Sequence, residues 1–327
     1  MGGRNPAKPW IYIHKTTIKL MKKLRLFIVL IVGQLSAQQE ANFSHYMYNH
    51  QAVNPGYVGS RGTTSLTSVL RFQWAGIEGA PETQTLSFNT PVSKKNIAFG
   101  LSILNDKIGP ISSTSFTADL AYHLRLNRKN HRLAVGLKAG LLNHALNIDM
   151  INTLVPNDQA FVLDSDQKLL PNLGFGFYYY TPNFYAGFAL PQVLPHDEYG
   201  LERHAYFISG ALVNVTETFM LKPSLLIKQT KTIVGYDFSL LGIVNERFWL
   251  GGQIRNNFNS ETFKSFSGSG LSALMGIQLG KNITLGYAYG LPGGIDRSGL
   301  NFATHEVLLR YDFSTAIEGL LRSPRFF

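Results

Sequence analysis

From about residue 60 to residue 313, apolar side chains return at every second position, segment after segment, with no sustained 3.6-residue period. In residues 115–125, Phe116, Ala118, Leu120, Tyr122 and Leu124 share one face; Ser115, Thr117, Asp119, His123 and Arg125 share the other. In residues 132–141, Leu133, Val135, Leu137, Ala139 and Leu141 oppose Arg132, Gly136, Lys138 and Gly140. Phe219, Leu221, Leu225 and Ile227 oppose Lys222, Ser224 and Lys228. Near the end, Val307, Leu309, Tyr311 and Phe313 oppose Glu306, Leu308, Arg310 and Asp312. Strand side chains point alternately to two faces, so these are strands with one apolar face and one polar or small face. A closed wall of such strands, apolar outward and polar inward, is what a lipid bilayer demands.

Turn signals divide the chain into candidate strands at 63–74, 83–90, 95–104, 114–125, 131–144, 169–180, 183–190, 203–214, 217–228, 233–243, 246–257, 269–280, 281–290 and 302–313. That makes about fourteen, an even number, as single-chain bacterial barrels require. The connections alternate in length. Tight turns such as Lys94-Lys95, Leu126–Asn130, Thr181-Pro182 and Asn245-Glu246 join one set of neighbours. The other set is joined by 75–82, 105–113, 145–168, 191–202, 258–268 and 291–301, with 229–232 a short exception. Membrane barrels have short periplasmic turns and longer external loops, so the alternation predicts that both chain ends face the periplasm. The expected fold class is all-β: a transmembrane antiparallel β-barrel with a short, plug-like N-terminal segment.

Composition agrees. Charged residues are 15% of the chain, against about 25% in soluble domains, while 22 Phe, 15 Tyr and 31 Gly are present. The absence of cysteine excludes disulfides, a thiolate nucleophile and a lipid-bearing cysteine. The formal charge of +10 is concentrated at one end. Arg4, Lys8, Lys15, Lys19, Lys22, Lys23 and Arg25 lie in residues 1–37, which contain no acidic residue; without those seven, 23 basic face 20 acidic residues. A nucleic-acid footprint needs a basic stripe on the folded part, and none is found, so no nucleic-acid partner is expected.

The same end reads as a leader. Met21-Lys-Lys-Leu-Arg25 is followed by the apolar run Leu26–Val32 and by Gly33-Gln-Leu-Ser-Ala37: a charged region, a short apolar region and a small residue before the cut, as in a secretory signal peptide. Residues 21–37 are therefore expected to be the signal, cleaved after Ala37, and residues 1–20 an over-extended, unstructured start. Residues 38–60 form a turn-rich periplasmic or plug segment, 61–313 the barrel, and 314–327 a periplasmic tail ending in Phe326-Phe327.

Sites of chemistry are not apparent. There is no HExxH pair, GxSxG elbow or GxxxxGK[ST] loop. His45 and His50 have no carboxylate close by in sequence, and Asp158, Asp164 and Asp166 lack the Gly and Glu of a calcium-binding loop. No catalytic, cofactor or metal site is expected, and the chain is not read as an enzyme. Inward Lys138, Lys222, Lys228, Arg255, Asp119, Glu306 and Arg310 are expected to face residues of opposite sign, lining a solute pathway or cross-linking a plugged interior.

Phe43-Ser-His-Tyr-Met-Tyr-Asn49 and Asn54-Pro-Gly-Tyr-Val-Gly59 resemble the opening of the PorP/SprF family of Bacteroidetes, which reads F-S-x-Y-M-x-N and then N-P-A-Y-x-G. Arg71-Phe-Gln-Trp74, Gly76 and Gly79-Ala-Pro81 are similar to its R-x-Q-W-x-G and G-A-P, and Leu221–Lys228 and Ser323–Phe327 also fit. Gly56 stands where Ala is usual, and His45 where Gln is common. The resemblance implies an outer-membrane component of the type IX secretion and gliding motility system. Such a protein would bind a cognate, adhesin-like secreted protein through its C-terminal domain, helping to export it or anchor it at the surface, alongside other components of the system. Phe43, Tyr46, Asn54, Pro55, Tyr57, Arg71 and Trp74 carry the motifs and are expected to be structural, in plug and wall. The alternative is a channel for hydrophobic or small solutes, of the fatty-acid-transporter kind.

Overall fold

The computed structural model describes residues 42–92, 96–127, 130–146, 168–194, 196, 202–231, 233–259, 265–291 and 303–313. The expected start, signal and tail (1–20, 21–37 and 314–327) lie outside the described residues, as do Lys94, Lys95, Asp158, Asp164 and Asp166.

Fourteen antiparallel strands form the wall. They are β1 (Ser65–Phe72), β2 (Glu82–Pro91), β3 (Ile97–Ile108), β4 (Ile111–Arg125), β5 (Arg132–Leu146), β6 (Lys168–Tyr180) and β7 (Phe184–Gln192). Then follow β8 (His204–Ala211, continued by Val213–Asn214), β9 (Phe219–Gln229), β10 (Ile233–Val244), β11 (Phe248–Asn259), β12 (Ser265–Leu279), β13 (Ile283–Gly290) and β14 (Thr304–Asp312). Each strand pairs with its neighbours in sequence, and β14 pairs with β1 from Ser65↔Asp312 to Phe72↔His305. The sheet is thus closed, so no edge is left unpaired and the wall's backbone groups are satisfied without water.

Each expected strand is present, with ends shifted by only a few residues. Two expectations are corrected. Of residues 258–268, read as a long external loop, the two ends are strand, since β11 runs on to Asn259 and β12 begins at Ser265. Residues 105–113, read as a long external loop, are mostly strand: β3 runs on to Ile108 and β4 begins at Ile111, with a tight turn carrying Gly109 at φ 55. The polar residues that suggested a loop pair across the two strands instead, Asp106 with Ser113 and Asn105 with Thr114, whose hydroxyl accepts from Asn105 Nδ2 at 2.8 Å. At the other end, the turn after β10 is built by Asn245 and Glu246, both at positive φ, the geometry that matches strand twist in tight hairpins.

The two faces of the wall are inverted relative to a soluble protein. Phe99, Leu101, Phe116, Leu137, Leu250 and Leu309 are among the many large apolar residues that are exposed. Between them, Asp119, Lys138, Lys222, Asp237, Glu306 and Arg310 are buried. Polar groups are buried at such cost that they need partners. The partners come from neighbouring strands and from residues 43–61, which are buried throughout apart from partly buried Ala52 and Val53. That segment folds into the 3-10 turn Tyr46–Tyr48, one helical turn His50–Val53 and the 3-10 turn Pro55–Tyr57.

Candidate functional site

The arrangement with the densest chemistry is the contact between residues 43–61 and the inner face of the wall. It begins at Glu306 on β14. One carboxylate oxygen accepts from the backbone N–H of His45 at 2.7 Å and lies 2.8 Å from His45 Nδ1; the other accepts from the Ser44 N–H at 2.7 Å. Arg71, directly opposite Glu306 in the β1–β14 register, donates to that second oxygen at 3.2 Å. A fully buried carboxylate is stable only with this kind of multiple compensation.

Further along, Phe43 O accepts from Arg255 Nη2 at 3.2 Å. The Tyr46 hydroxyl sits 2.8 Å from the Ser224 carbonyl, 3.0 Å from the Asp237 carbonyl and 3.1 Å from Ser239 Oγ. Burial raises the Tyr46 pKa well above the ordinary phenol value, so the phenol is a donor. Lys222 donates to Met47 O at 3.1 Å and lies 4.1 Å from the centre of the Tyr48 ring. His50 Nδ1 is 3.0 Å from the Tyr178 hydroxyl, and its ring packs 4.8 Å from Tyr57 and 4.6 Å from Tyr185. Burial, reinforced by Lys222, Arg310 and Arg61, holds the His50 pKa well below the usual imidazole range. Gln51 Nε2 lies 3.0 Å from Ser102 Oγ and 3.3 Å from Asp119 Oδ2.

Asn54 shows why Asn-Pro-Gly suits this place. Its Oδ1 accepts from the Gly56 N–H at 2.8 Å, capping the 3-10 turn, while its Nδ2 donates to Phe177 O on β6 at 3.0 Å. Pro55 at the first position of the turn has no N–H to leave unsatisfied. The wall beneath is flattened by glycine. A Cβ on Gly136 of β5 would lie 2.3 Å from Gly56 N; one on Gly176, opposite Gly136, would lie 2.3 Å from Asn54 Oδ1; one on Gly187 of β7 would lie 2.6 Å from Asn54 Nδ2. Backbone approach this close admits no side chain.

Of the motif residues singled out from the sequence, Phe43, Tyr46, Asn54, Pro55, Tyr57 and Arg71 come together inside the barrel. Trp74 does not: it lies in the turn after β1, half exposed, at φ 53. Three expected charge pairs are present, each between directly opposed residues: Asp119 with Lys138 at 3.3 Å, Asp237 with Arg255 at 2.5 Å, and Arg71 with Glu306. Arg310 departs from expectation. Its guanidinium is buried 5.2 Å from the Tyr48 ring centre, with no hydrogen-bond acceptor for any of its nitrogens among the described residues. Sequence reasoning passed over Tyr48, Gln51 and Arg61. It found no carboxylate for His45, because Glu306 is 261 residues away. Among the described residues no group of three His, Cys, Asp or Glu is placed to hold a metal ion.

No curated protein matches the chain. Remote likenesses to solved barrels extend along most of it. The outer membrane protein Omp33 of Acinetobacter baumannii is 10% identical, with 78% of this chain and 100% of that one covered and a TM-score of 0.45. A FadL homologue of Pseudomonas aeruginosa is 11% identical over 85% and 96%, with a TM-score of 0.46. The TodX monoaromatic hydrocarbon channel is 8% identical over 79% and 92%, also at 0.46. The family described as type IX secretion system membrane protein PorP/SprF matches residues 35–311, which span the buried segment and all but the last residue of the wall. With its inverted faces and its motifs in place, this chain belongs to the PorP/SprF family of type IX secretion system membrane proteins and is an outer-membrane β-barrel.

Proposed function

We propose that this barrel is a non-enzymatic binding and assembly component of type IX secretion. It engages one exported, adhesin-like protein through that protein's C-terminal domain, together with other components of the system. The observation that carries this reading is the fixed interior. Residues 43–61 are hydrogen-bonded to β1, β3, β4, β5, β6, β9, β10, β11 and β14, which supports a plugged scaffold that works through its surface rather than an open lumen. Connectivity supports an orientation as well. Thr64 and Phe313, joined by the Phe313 N–H donating to Thr64 O at 2.9 Å, lie at the end with the tight turns, which supports the reading that this end of the wall faces the periplasm. The contact surface is then the opposite end, with its long connections 145–168, 191–202 and 291–301, most of whose residues lie outside those described. Long connections on a rigid scaffold commonly carry binding.

The test is deletion of the gene with surface proteins compared before and after. Loss of one large exported protein from the surface, restored by the intact gene, is the expected result. Unchanged display of every exported protein would overturn the reading. The solute-channel alternative requires a lumen that opens, so it predicts large conductance in planar bilayers once residues 38–60 are removed.

A further inference from the structure

Around Tyr48 the interior holds cationic chemistry that the ion pairs described above do not use. Arg310 on β14 is 1% exposed, and its Nε, Nη1 and Nη2 have no acceptor among the described residues. The Tyr48 hydroxyl, also buried, has no hydrogen-bond partner among the described residues either. The buried carboxylates have hydrogen-bonding partners of their own: Glu306 has Ser44, His45 and Arg71, Asp237 has Arg255, Asp119 has Lys138, and Asp312 has Arg61 Nη2 at 2.7 Å, so that Asp312 acts on Arg310 only through space. Lys222 Nζ stands over the Tyr48 ring at 4.1 Å and Arg310 Cζ at 5.2 Å, so two cations share one aromatic ring. Arg61, Lys222 and Arg310 all act on nearby His50, adding to the burial that keeps it neutral.

A guanidinium carries a rigid fork of N–H donors that suits two oxygens of one anion, and leaving all of them unmade inside a protein is costly. The surrounding charge is also of the wrong sign for a further cation. We propose that the interior beside Tyr48 is a binding site for a small oxyanion of the phosphate, sulfate or carboxylate class, held by the Arg310 guanidinium and the Tyr48 hydroxyl in the positive field of Lys222 and Arg61. The anion would bridge residue 48 of the inner segment to β14, and so act as a structural ligand that locks the segment in the wall. Trp249, whose ring centre is 5.2 Å from that of Tyr48, reports on the site.

The experiment uses the full barrel purified in detergent from membranes and exchanged into phosphate- and sulfate-free chloride buffer. The anion released on unfolding is measured by ion chromatography, which tells phosphate, sulfate and small carboxylates apart. Thermal unfolding is followed in millimolar inorganic phosphate against chloride at equal ionic strength, in a Trp10→Phe, Trp74→Phe background so that fluorescence reports Trp249. The expected result is one oxyanion released per barrel, or a phosphate-specific rise in Tm of about 3 °C or more. Arg310→Gln should abolish both. Tyr48→Phe, which removes one hydroxyl and keeps the ring, should weaken the phosphate midpoint about tenfold and serves where Arg310→Gln does not fold. Wild-type protein that releases no oxyanion and shows no phosphate-specific shift overturns the proposal. So do an unaltered anion content in Arg310→Gln and an unaltered midpoint in Tyr48→Phe.

Discussion

Glu306 accepts the backbone N–H of His45 at 2.7 Å across 261 residues of sequence, and the His45 ring nitrogen lies 2.8 Å from the same oxygen. This contact fastens the start of the inner segment to the strand that closes the barrel. Removing a buried charge partner leaves the other charge uncompensated, at a cost of about 3–5 kcal/mol. Glu306→Ala is therefore expected to strip both His45 and Arg71 of their shared partner and free the segment. Limited proteolysis of purified barrels should show new cleavage between residues 42 and 62 while the wall still runs as a heat-modifiable band. Glu306→Gln keeps an acceptor oxygen and should release the segment less.

Gly136 offers a test of packing without any change of charge. A Cβ there would fall 2.3 Å from Gly56 N and 2.4 Å from the Pro55 carbonyl carbon, backbone atoms that a rotamer change cannot move aside. Overpacking commonly costs about 1–3 kcal/mol. Gly136→Ala is expected to lower the thermal midpoint and to expose the segment to protease. Val135→Ala, a neighbouring change on the outer face, should leave the segment protected.

The outer face makes the opposite demand. Leu137 is 58% exposed and sits between Leu120 and Phe175 in the sheet. Leu137→Arg should destabilise the barrel by about 2–4 kcal/mol if that position lies near the bilayer midplane, read as a lower urea midpoint for unfolding from lipid vesicles. In detergent micelles, where water is closer, the penalty should shrink. A penalty that is equal in both media would argue against lipid contact at this strand.

The wall was legible because one face of every strand must satisfy lipid, and that rule writes itself into sequence at period two: Val307, Leu309, Tyr311 and Phe313 could only share a face. The strand ends were less legible. Asn105 and Asp106 look like loop residues until Thr114 and Ser113 are known to lie opposite. The inner segment was recognised by its motifs and turn residues, yet its partners were not, since His45 and Glu306 or Asn54 and Gly176 meet only after the barrel has closed. Gly136 was visible as a small inward position, but nothing local says which backbone comes to rest on it, and Gly176 and Gly187 carried no signal of their own. Arg310 is the reverse case. Alternation put it inside, but the opposite charge it meets, Asp312 two residues on, acts on it only through space because Asp312 is hydrogen-bonded to Arg61.

Acid should loosen the segment through His50. Its imidazole is ringed by Tyr57, Tyr178 and Tyr185, with Lys222, Arg310 and Arg61 near enough to oppose a further positive charge. The folded-state pKa is therefore lowered, while in an unfolded chain histidine titrates near about 6.5. Below that pH the unfolded state binds a proton that the folded state refuses, so stability is full above about 6.5 and falls as the pH drops. The slope expected from one such group is about 1.4 kcal/mol per pH unit, or about 2 kcal/mol between pH 6.5 and 5. His50→Gln keeps a hydrogen-bonding side chain without the titration, so its pH profile should be flatter than wild type by that amount, whatever the midpoint itself does. Thermal unfolding of both proteins at a series of pH values measures the difference directly. Parallel profiles would mean that His50 is not held neutral and that the cations beside it are balanced in some other way.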